Sequence, residues 1–567
     1  MRHEMHPRTL ALLVAVAVVV GACERGESET DRELQASGEE LDEALSTITA
    51  DELVEHIKVL SADSMEGRLP GTPGEEKTLR YLQGEFETLG LEPGNGESWF
   101  QEVPLVSITA SPNMTLTISG GDRSRQYAYG DEMMAWTKRV TESVDVDGSE
   151  VVFVGYGIVA PEYDWNDYEG LDVKGKTVIL LVNDPGFATK DTALFNGNAM
   201  TYYGRWTYKY EEAARQGSAA AFVVHETAPA AYGWDVVKSS WSGPQFDMVS
   251  EDDNMSRVKV EGWLTLETAR EIFSMAGLDY EESRDRAAER DFEPVPMELE
   301  ASIGVNNTIE RSTSRNLLAL LPGGERPEEY IIYMGHWDHL GRDTALEGDQ
   351  IFNGALDNAS GVAALLELAE AFSMLETRPQ RSIVFMPVTA EEQGLLGSKY
   401  YGENPVYPLD KTVAAINIDG LNIYGPTRDI VVVGYGNSEL DDYLRTAAQA
   451  QDREIVPDPE AEKGYFYRSD HFSLAKHGVP ALYTDIGEES VEHGAEWMRA
   501  KKDEYTALHY HGPSDEYSPD WDLAGGVDDI QLWFRVGYRL ANEQSFPEWR
   551  EGTEFKSARD SMLARWY

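Results

Sequence analysis

Past Asn316 the chain alternates short apolar runs of strand character with longer amphipathic runs of helical spacing, and this limits its second half to an α/β architecture. Strands are expected at 316–321, 330–334, 381–387, 412–418, 429–433 and 480–485, and helices at 361–374, 439–450 and 525–541. Strands interleaved with helices imply a mixed, mostly parallel sheet covered by helices on both faces. In such sheets the site lies beyond the carboxyl ends of the strands.

Ionisable residues collect at those ends. His336 and Asp338 follow the run 330–334, Asp357 precedes the helix start at 361, and Glu391 and Glu392 follow the run 381–387. Asp419 ends the strand TVAAINI, and His511 lies in the loop YHGPSDEY. One such residue is usually a cap or a solvated edge. Convergence of several from successive elements on one sheet edge is hard to explain by capping. His336 and Asp338 are two apart on extended chain and share a face, which suits a metal-bound imidazole held from behind by a carboxylate. Two His, two Asp and one or two Glu form a nitrogen–oxygen ligand set without thiolate, fitting a pair of zinc ions, with cobalt or manganese possible. Glu391 and Glu392 point opposite ways unless the chain turns, and the following Gln393-Gly394 permits a turn. His339 is expected to pack locally or to stand behind a ligand, and His471 to line the substrate pocket or brace it; His509 competes with His511 for the ligand role, and His225 and His493 lie outside any motif.

Length and charge bound the rest. The 567 residues, 41% hydrophobic, can bury two or three cores. A net charge of −53 speaks against binding a nucleic-acid backbone or an anionic membrane surface. Arg2 and Arg8 precede the apolar run 10–20, which is too short to span a bilayer and ends in Val-Gly-Ala-Cys. That pattern resembles a bacterial lipoprotein signal over 1–22, with an exported protein anchored to the cell membrane through lipid on Cys23. Cys23 is the one cysteine, so disulfides within the chain are excluded. The acidic stretch 23–45 reads as a disordered tether, with folded structure from Thr49, where Thr49 and Glu52 make a capping box. Residues 107–305 change texture to short β-rich runs without ligand clusters and read as an insertion between 46–106 and 306–548, with 549–567 as a tail.

The motifs GHWDHLG, GALDNASG, TAEEQGLLGSKYY, NIDG, RSDHFSLAKHGVPAL and YHGPSDE, in this order, resemble the M28 family of co-catalytic zinc peptidases. The stretch EVVFVGYGIVAPEYDWNDYEGLDVKGKTVILLVNDP is similar to the protease-associated domain that many members carry as an insertion. The resemblance implies two zinc ions, one on His336 and Asp419, the other on Glu392 and His511, with Asp357 between them. It implies Glu391 as general base, Asp338 as the partner of His336, Tyr510 as an oxyanion donor, and Arg468 at the substrate. It also implies a cis bond between Asp357 and Asn358. The activity implied is hydrolysis of peptides, with removal of N-terminal residues favoured. A carboxypeptidase or dipeptidase, a single-zinc aminoacyltransferase of the glutaminyl-cyclase type and a non-catalytic receptor-like member are the other readings. Arg205, Arg342 and Arg468 are scattered in sequence, which favours recognition of a free amine over a carboxylate.

Overall fold

The structure, a computed structural model, describes residue 38 and residues 40–564. The expected leader, the Cys23 anchor and the tether as far as residue 37 lie outside the described residues. At its far end the tether reading is corrected: 40–47 is helical, and Ala44, Leu45 and Ile48 are buried. Their spacing gives one apolar stripe that packs with the core, which the acidic composition concealed. Helix α1 (Ala50–Leu60) is capped by Thr49, whose side chain accepts from the Glu52 amide. The other half of the expected box is replaced, because the Thr49 amide donates to Glu367 Oε2 at 3.0 Å. Helix α2 (Pro73–Thr88) follows, with Leu79, Leu82 and Phe86 buried.

The first sheet is built from β1 (Glu92–Pro93), β4 (Ala319–Leu321), β5 (Arg326–His336), β6 (Arg381–Val388), β7 (Thr412–Asn417), β8 (Asp429–Val432), β9 (Glu454–Pro457) and β10 (Ala481–Asp485). Its spatial order is β1-β4-β6-β5-β7-β10-β8-β9. The centre is parallel, β6 and β7 flanking β5 and β10 flanking β7, while β1, β4 and the β8–β10 pair are antiparallel. Alternate residues face opposite layers, as the pleat demands. Ile331 and Tyr333 of β5 pack with α1, α2 and helices α3 (Gly361–Ser373), α5 (Leu440–Gln449) and α8 (Ala524–Asn542). Ile332 and Met334 pack on the other side, with Tyr401 of α4 (Leu396–Glu403) and Phe472 and Leu474 of α6 (His471–Lys476). The register places His336 beside Val388 and Met334 beside Asn417, so the carboxyl ends of β5, β6 and β7 share one edge.

A second sheet holds most of the middle of the chain. Its long strands β2 (Phe100–Ala110) and β3 (Val295–Leu317) form an antiparallel ribbon from the Phe100–Leu317 pair to the Ala110–Asn307 pair. Beyond them lie Ser143–Phe153, Thr177–Leu181, Ala220–His225, Val260–Thr265 and Met133–Trp136 in that order. The expected cuts at 106/107 and 305/306 therefore fall inside two strands rather than between elements, and the expected strand at 316–321 is the end of β3 plus β4. The expected tail is folded as well, since Trp549, Phe555 and Arg559 are buried. Among the described residues no helix is long and apolar enough to cross a membrane.

Candidate metal centre

His336 is the last residue of β5 and 1% exposed. Its Nδ1 donates to the Asp338 carbonyl oxygen at 3.1 Å. A carbonyl can only accept, so this bond puts a proton on Nδ1 and makes Nε2 the nitrogen available to a cation. Nε2 faces Asp419 Oδ1 at 3.2 Å and Asp357 Oδ1 at 3.3 Å. The expected role of the Asp338 carboxylate is corrected here. It stands 4.0 Å from Nδ1, and its Oδ1 instead accepts the Glu391 amide at 3.1 Å. The backbone carbonyl orients the imidazole, and the side chain anchors the turn that carries the two glutamates.

That turn follows β6. Ala390, just before the pair, has φ 54°, and Gly394 and Leu395, just after it, have φ 111° and 61°; within this turn Glu391 and Glu392 both face His336. Glu392 Oε2 lies 3.0 Å from His511 Nε2, and its Oε1 lies 2.6 Å from His339 Nδ1. His511 Nε2 is 3.3 Å from Asp357 Oδ2. Asp357 thus turns one oxygen to each of the two histidines. It sits before α3 in a buried segment, and its bond to Asn358 is cis, as expected. Donor atoms of three sets each lie within 4.8 Å of one another: His336, Asp357 and Asp419; His336, Glu391 and Glu392; His339, Asp357 and Glu392.

Charge in this cluster is unbalanced. Burial opposes protonation of His336, yet Glu391, Asp419 and Asp357 outweigh it and hold the ring well above its ordinary pKa. His511 is pushed up to about 10, burial again being overcome by Glu392 and Asp357. Burial drives Glu391 well above the usual carboxylate range and lifts Asp338 to about 8. Enclosed carboxylates that draw protons onto two imidazoles are short of positive charge. A borderline divalent cation that takes both imidazole nitrogen and carboxylate oxygen fits this donor set, and zinc is the foremost of these.

The remaining candidates separate. Tyr510 is 51% exposed and its ring stacks on His511, with centroids 3.9 Å apart. His471, expected at the substrate, is fully enclosed between Phe466 and Tyr483, at 4.5 Å and 4.8 Å. Burial pushes it down to about 3, so it is a neutral packing group and that expectation is corrected. Arg468 leaves Nε and Nη2 without a hydrogen-bond partner, and so does the Nε of Arg205 from the second sheet's side of the molecule. Burial and then the charge of Arg468 push Arg205 down to about 10, so the two guanidinium groups act on one another across the two sheets. Ser469 was not singled out from the sequence, and His339 was expected only to pack or to stand behind a ligand. Ser469 Oγ donates to Asp419 Oδ2 at 2.5 Å and accepts from Asn417 Nδ2 at 2.7 Å. The neighbouring motif letters were the only signal for either.

Comparison with known proteins agrees with this site. Residues 316–534 match the sequence profile of Peptidase family M28. Aminopeptidase NAALADL1 of Mus musculus is 37% identical over 136 residues, 23% of this chain and 17% of that protein. A probable zinc metalloprotease of Pyrenophora tritici-repentis is 38% identical over 104 residues, 18% of this chain and 23% of that protein. The chain thus spans less than a quarter of the length of these curated relatives. Among solved structures, an aminopeptidase from Aneurinibacillus sp. strain AM-1 aligns with a TM-score of 0.48 and 21% identity, over 88% of this chain and 96% of that one. Every motif of the metal centre lies inside the stretch that matches peptidase family M28.

Proposed function

We propose that the chain is a di-zinc exopeptidase that removes N-terminal residues from peptides. The observation that carries this reading is the division of Asp357 between His336 and His511, with Asp419 completing one side and Glu392 the other. The arrangement is two facing ligand sets with one shared carboxylate. Cations held there supply Lewis acidity toward a peptide carbonyl and a water. Glu391, in the same cluster but outside the two sets, takes a water proton on its carboxylate and returns it to the departing amine nitrogen. Tyr510 can donate its phenol hydrogen to oxygen as negative charge develops there. The acidic surroundings suit a substrate α-ammonium group.

A second reading has its own support. The unpartnered donors of Arg205 and Arg468 favour a substrate carboxylate, as a carboxypeptidase or dipeptidase would need. A single-zinc aminoacyltransferase has less support, since Asp357 has a histidine and a further carboxylate on each side. Aminoacyl-nitroanilides and N-blocked peptides with free carboxylates, assayed with chelator and with zinc restored, distinguish these readings. Cleavage confined to N-blocked peptides removes the aminopeptidase assignment. Activity indifferent to chelator removes the metal.

The second sheet is proposed as a protease-associated domain that shapes the mouth of the site and limits peptide length. For location, the Val-Gly-Ala-Cys stretch supports export with a lipid anchor. Cys23→Ser is expected to release the protein from the membrane fraction. Retention through a carbonate wash would count against the anchor.

A further inference from the structure

Arg68 is 1% exposed and lies on the floor of the centre, more than 250 residues in sequence from the nearest ligand. Its guanidinium donates to four backbone carbonyls. Nε reaches Trp337 at 3.0 Å, Nη1 reaches Leu60 at 2.7 Å and Asn353 at 2.6 Å, and Nη2 reaches Gly354 at 2.8 Å. Trp337 sits between His336 and Asp338, while Asn353 and Gly354 open the segment leading to Asp357. One rigid fork therefore ties the loop of His336 to the loop of Asp357.

The backbone is shaped for this reach. Glu66, Gly67 and Arg68 have φ 55°, 68° and 52°, a left-handed run that turns the Arg68 side chain inward. At Gly67 a Cβ would stand 2.2 Å from the Gly341 carbonyl oxygen, so glycine is required there.

Asp515 completes the frame from the other side. It is 1% exposed and lies four residues past His511. Its Oδ1 accepts the Leu356 amide at 3.0 Å and its Oδ2 accepts the Asp357 amide at 3.1 Å. Its carbonyl accepts the Ala355 amide at 3.0 Å. Tyr505 braces it by donating to Oδ2 at 3.1 Å. The three consecutive amides before and at Asp357 are thus held by one residue from the His511 loop.

We propose that Arg68 and Asp515 are positioning residues that aim the two oxygens of Asp357 at its two histidines, and so set the capacity of the centre for a second cation. This rests on the two-cation reading above. Neither residue touches substrate in this role. Both act through the backbone of the segment that carries Asp357, joining it to the His336 and His511 loops.

The test uses the full chain stripped of metal, with Co2+ added stepwise and followed by absorption, beside kcat and KM on one substrate. Arg68→Lys keeps the charge but loses the planar fork. Asp515→Asn keeps the volume but leaves one amide facing a donor. In both, the first equivalent is expected to bind within about threefold of wild type. The second should weaken by about 10–100-fold, the usual range for a lost outer partner of a metal ligand. kcat should fall alongside with KM little changed. A purely structural role would lower the melting temperature and leave cobalt affinity and kcat of the folded protein intact, and that result overturns the proposal. If Arg68→Lys does not fold, Asp515→Asn decides by the same split. Fewer than two cobalt ions on the wild-type chain would instead bring down the two-cation reading itself.

Discussion

The second sheet and the first each enclose a group of charges, and the two groups are balanced differently. In the second, Lys209 is fully buried between the influence of Asp184 and Asp167, and its Nζ donates to the Asn183 carbonyl at 2.8 Å. Asp184 accepts from the amides of Gly186, Phe187 and Thr201 and from the Thr201 hydroxyl. Asp167 accepts from the Ile158 amide and the Trp165 indole. Burial has moved Lys209 down to about 7 and Asp184 up to about 6, so the group lessens its own charge and every member has partners. Around His336 the carboxylates find histidines in place of lysines, and Arg68 is held by carbonyls rather than by acids. Buried charge that closes on itself maintains a fold. Buried charge left open on one sign is prepared for a ligand of the other.

The sharpest way to break this contrast is at the two adjacent glutamates. Glu391→Gln removes a basic oxygen but no ligand, so metal content should stay near two per chain while turnover falls by about 10²–10⁴-fold. Glu392→Gln should lose metal as well as rate. Bound zinc and kcat measured on both variants settle the assignment, and the opposite pattern would exchange their roles.

On the other side of the comparison, Lys209→Met should leave zinc content and kcat of the folded protein unchanged. Removing one member of a buried charged group leaves the others uncompensated, at a cost of about 3–5 kcal/mol in unfolding free energy. Denaturant unfolding with metal analysis reads both quantities. A loss of zinc in a folded Lys209→Met protein would show that the two groups are coupled, contrary to the distinction drawn here.

A smaller effect is expected from Ser469→Ala. The change takes one hydrogen bond from Asp419 and leaves the Asn417 amide without its acceptor. Affinity for one cation, the one sharing Asp419, should drop about tenfold, at the low end for an outer partner. Equal loss at both sites would mean that Asp419 is not confined to one side.

Much of this site was legible in the sequence because strand ends are. Apolar β-branched runs fixed β5, β6 and β7, and ionisable residues just past them had to meet on one edge. What could not be read was everything carried by backbone atoms. The Asp338 carbonyl, the clasp of Arg68 on four carbonyls and the grip of Asp515 on three amides depend on loop paths that no periodicity encodes. The nearness of Arg205 to Arg468 was hidden for a similar reason, since it joins the two sheets. The cuts at 106/107 and 305/306 fall within β2 and β3 because these strands run through them as one ribbon, and a strand shows no composition break along its length.

The smallest effect expected concerns pH in the metal-free protein. His511 is raised to about 10 by Glu392 and Asp357 against the opposing effect of burial. An imidazole with a raised folded-state pKa adds stability that is complete below its unfolded value, about 6.5, and is lost as pH climbs toward the folded value. Metal-free protein should therefore melt at progressively lower temperature between about pH 6.5 and 10, as repulsion among the carboxylates loses its neutralising proton. The His511 side chain is 38% exposed, so solvent screening keeps the change modest. With zinc bound the proton is displaced by the cation, and the same pH interval should leave the melting temperature nearly flat. Thermal unfolding at several pH values, with and without zinc, makes the comparison. His511→Gln should flatten the metal-free curve. If the slope persists in that variant, the open charge of the centre is carried by other groups than the one named here.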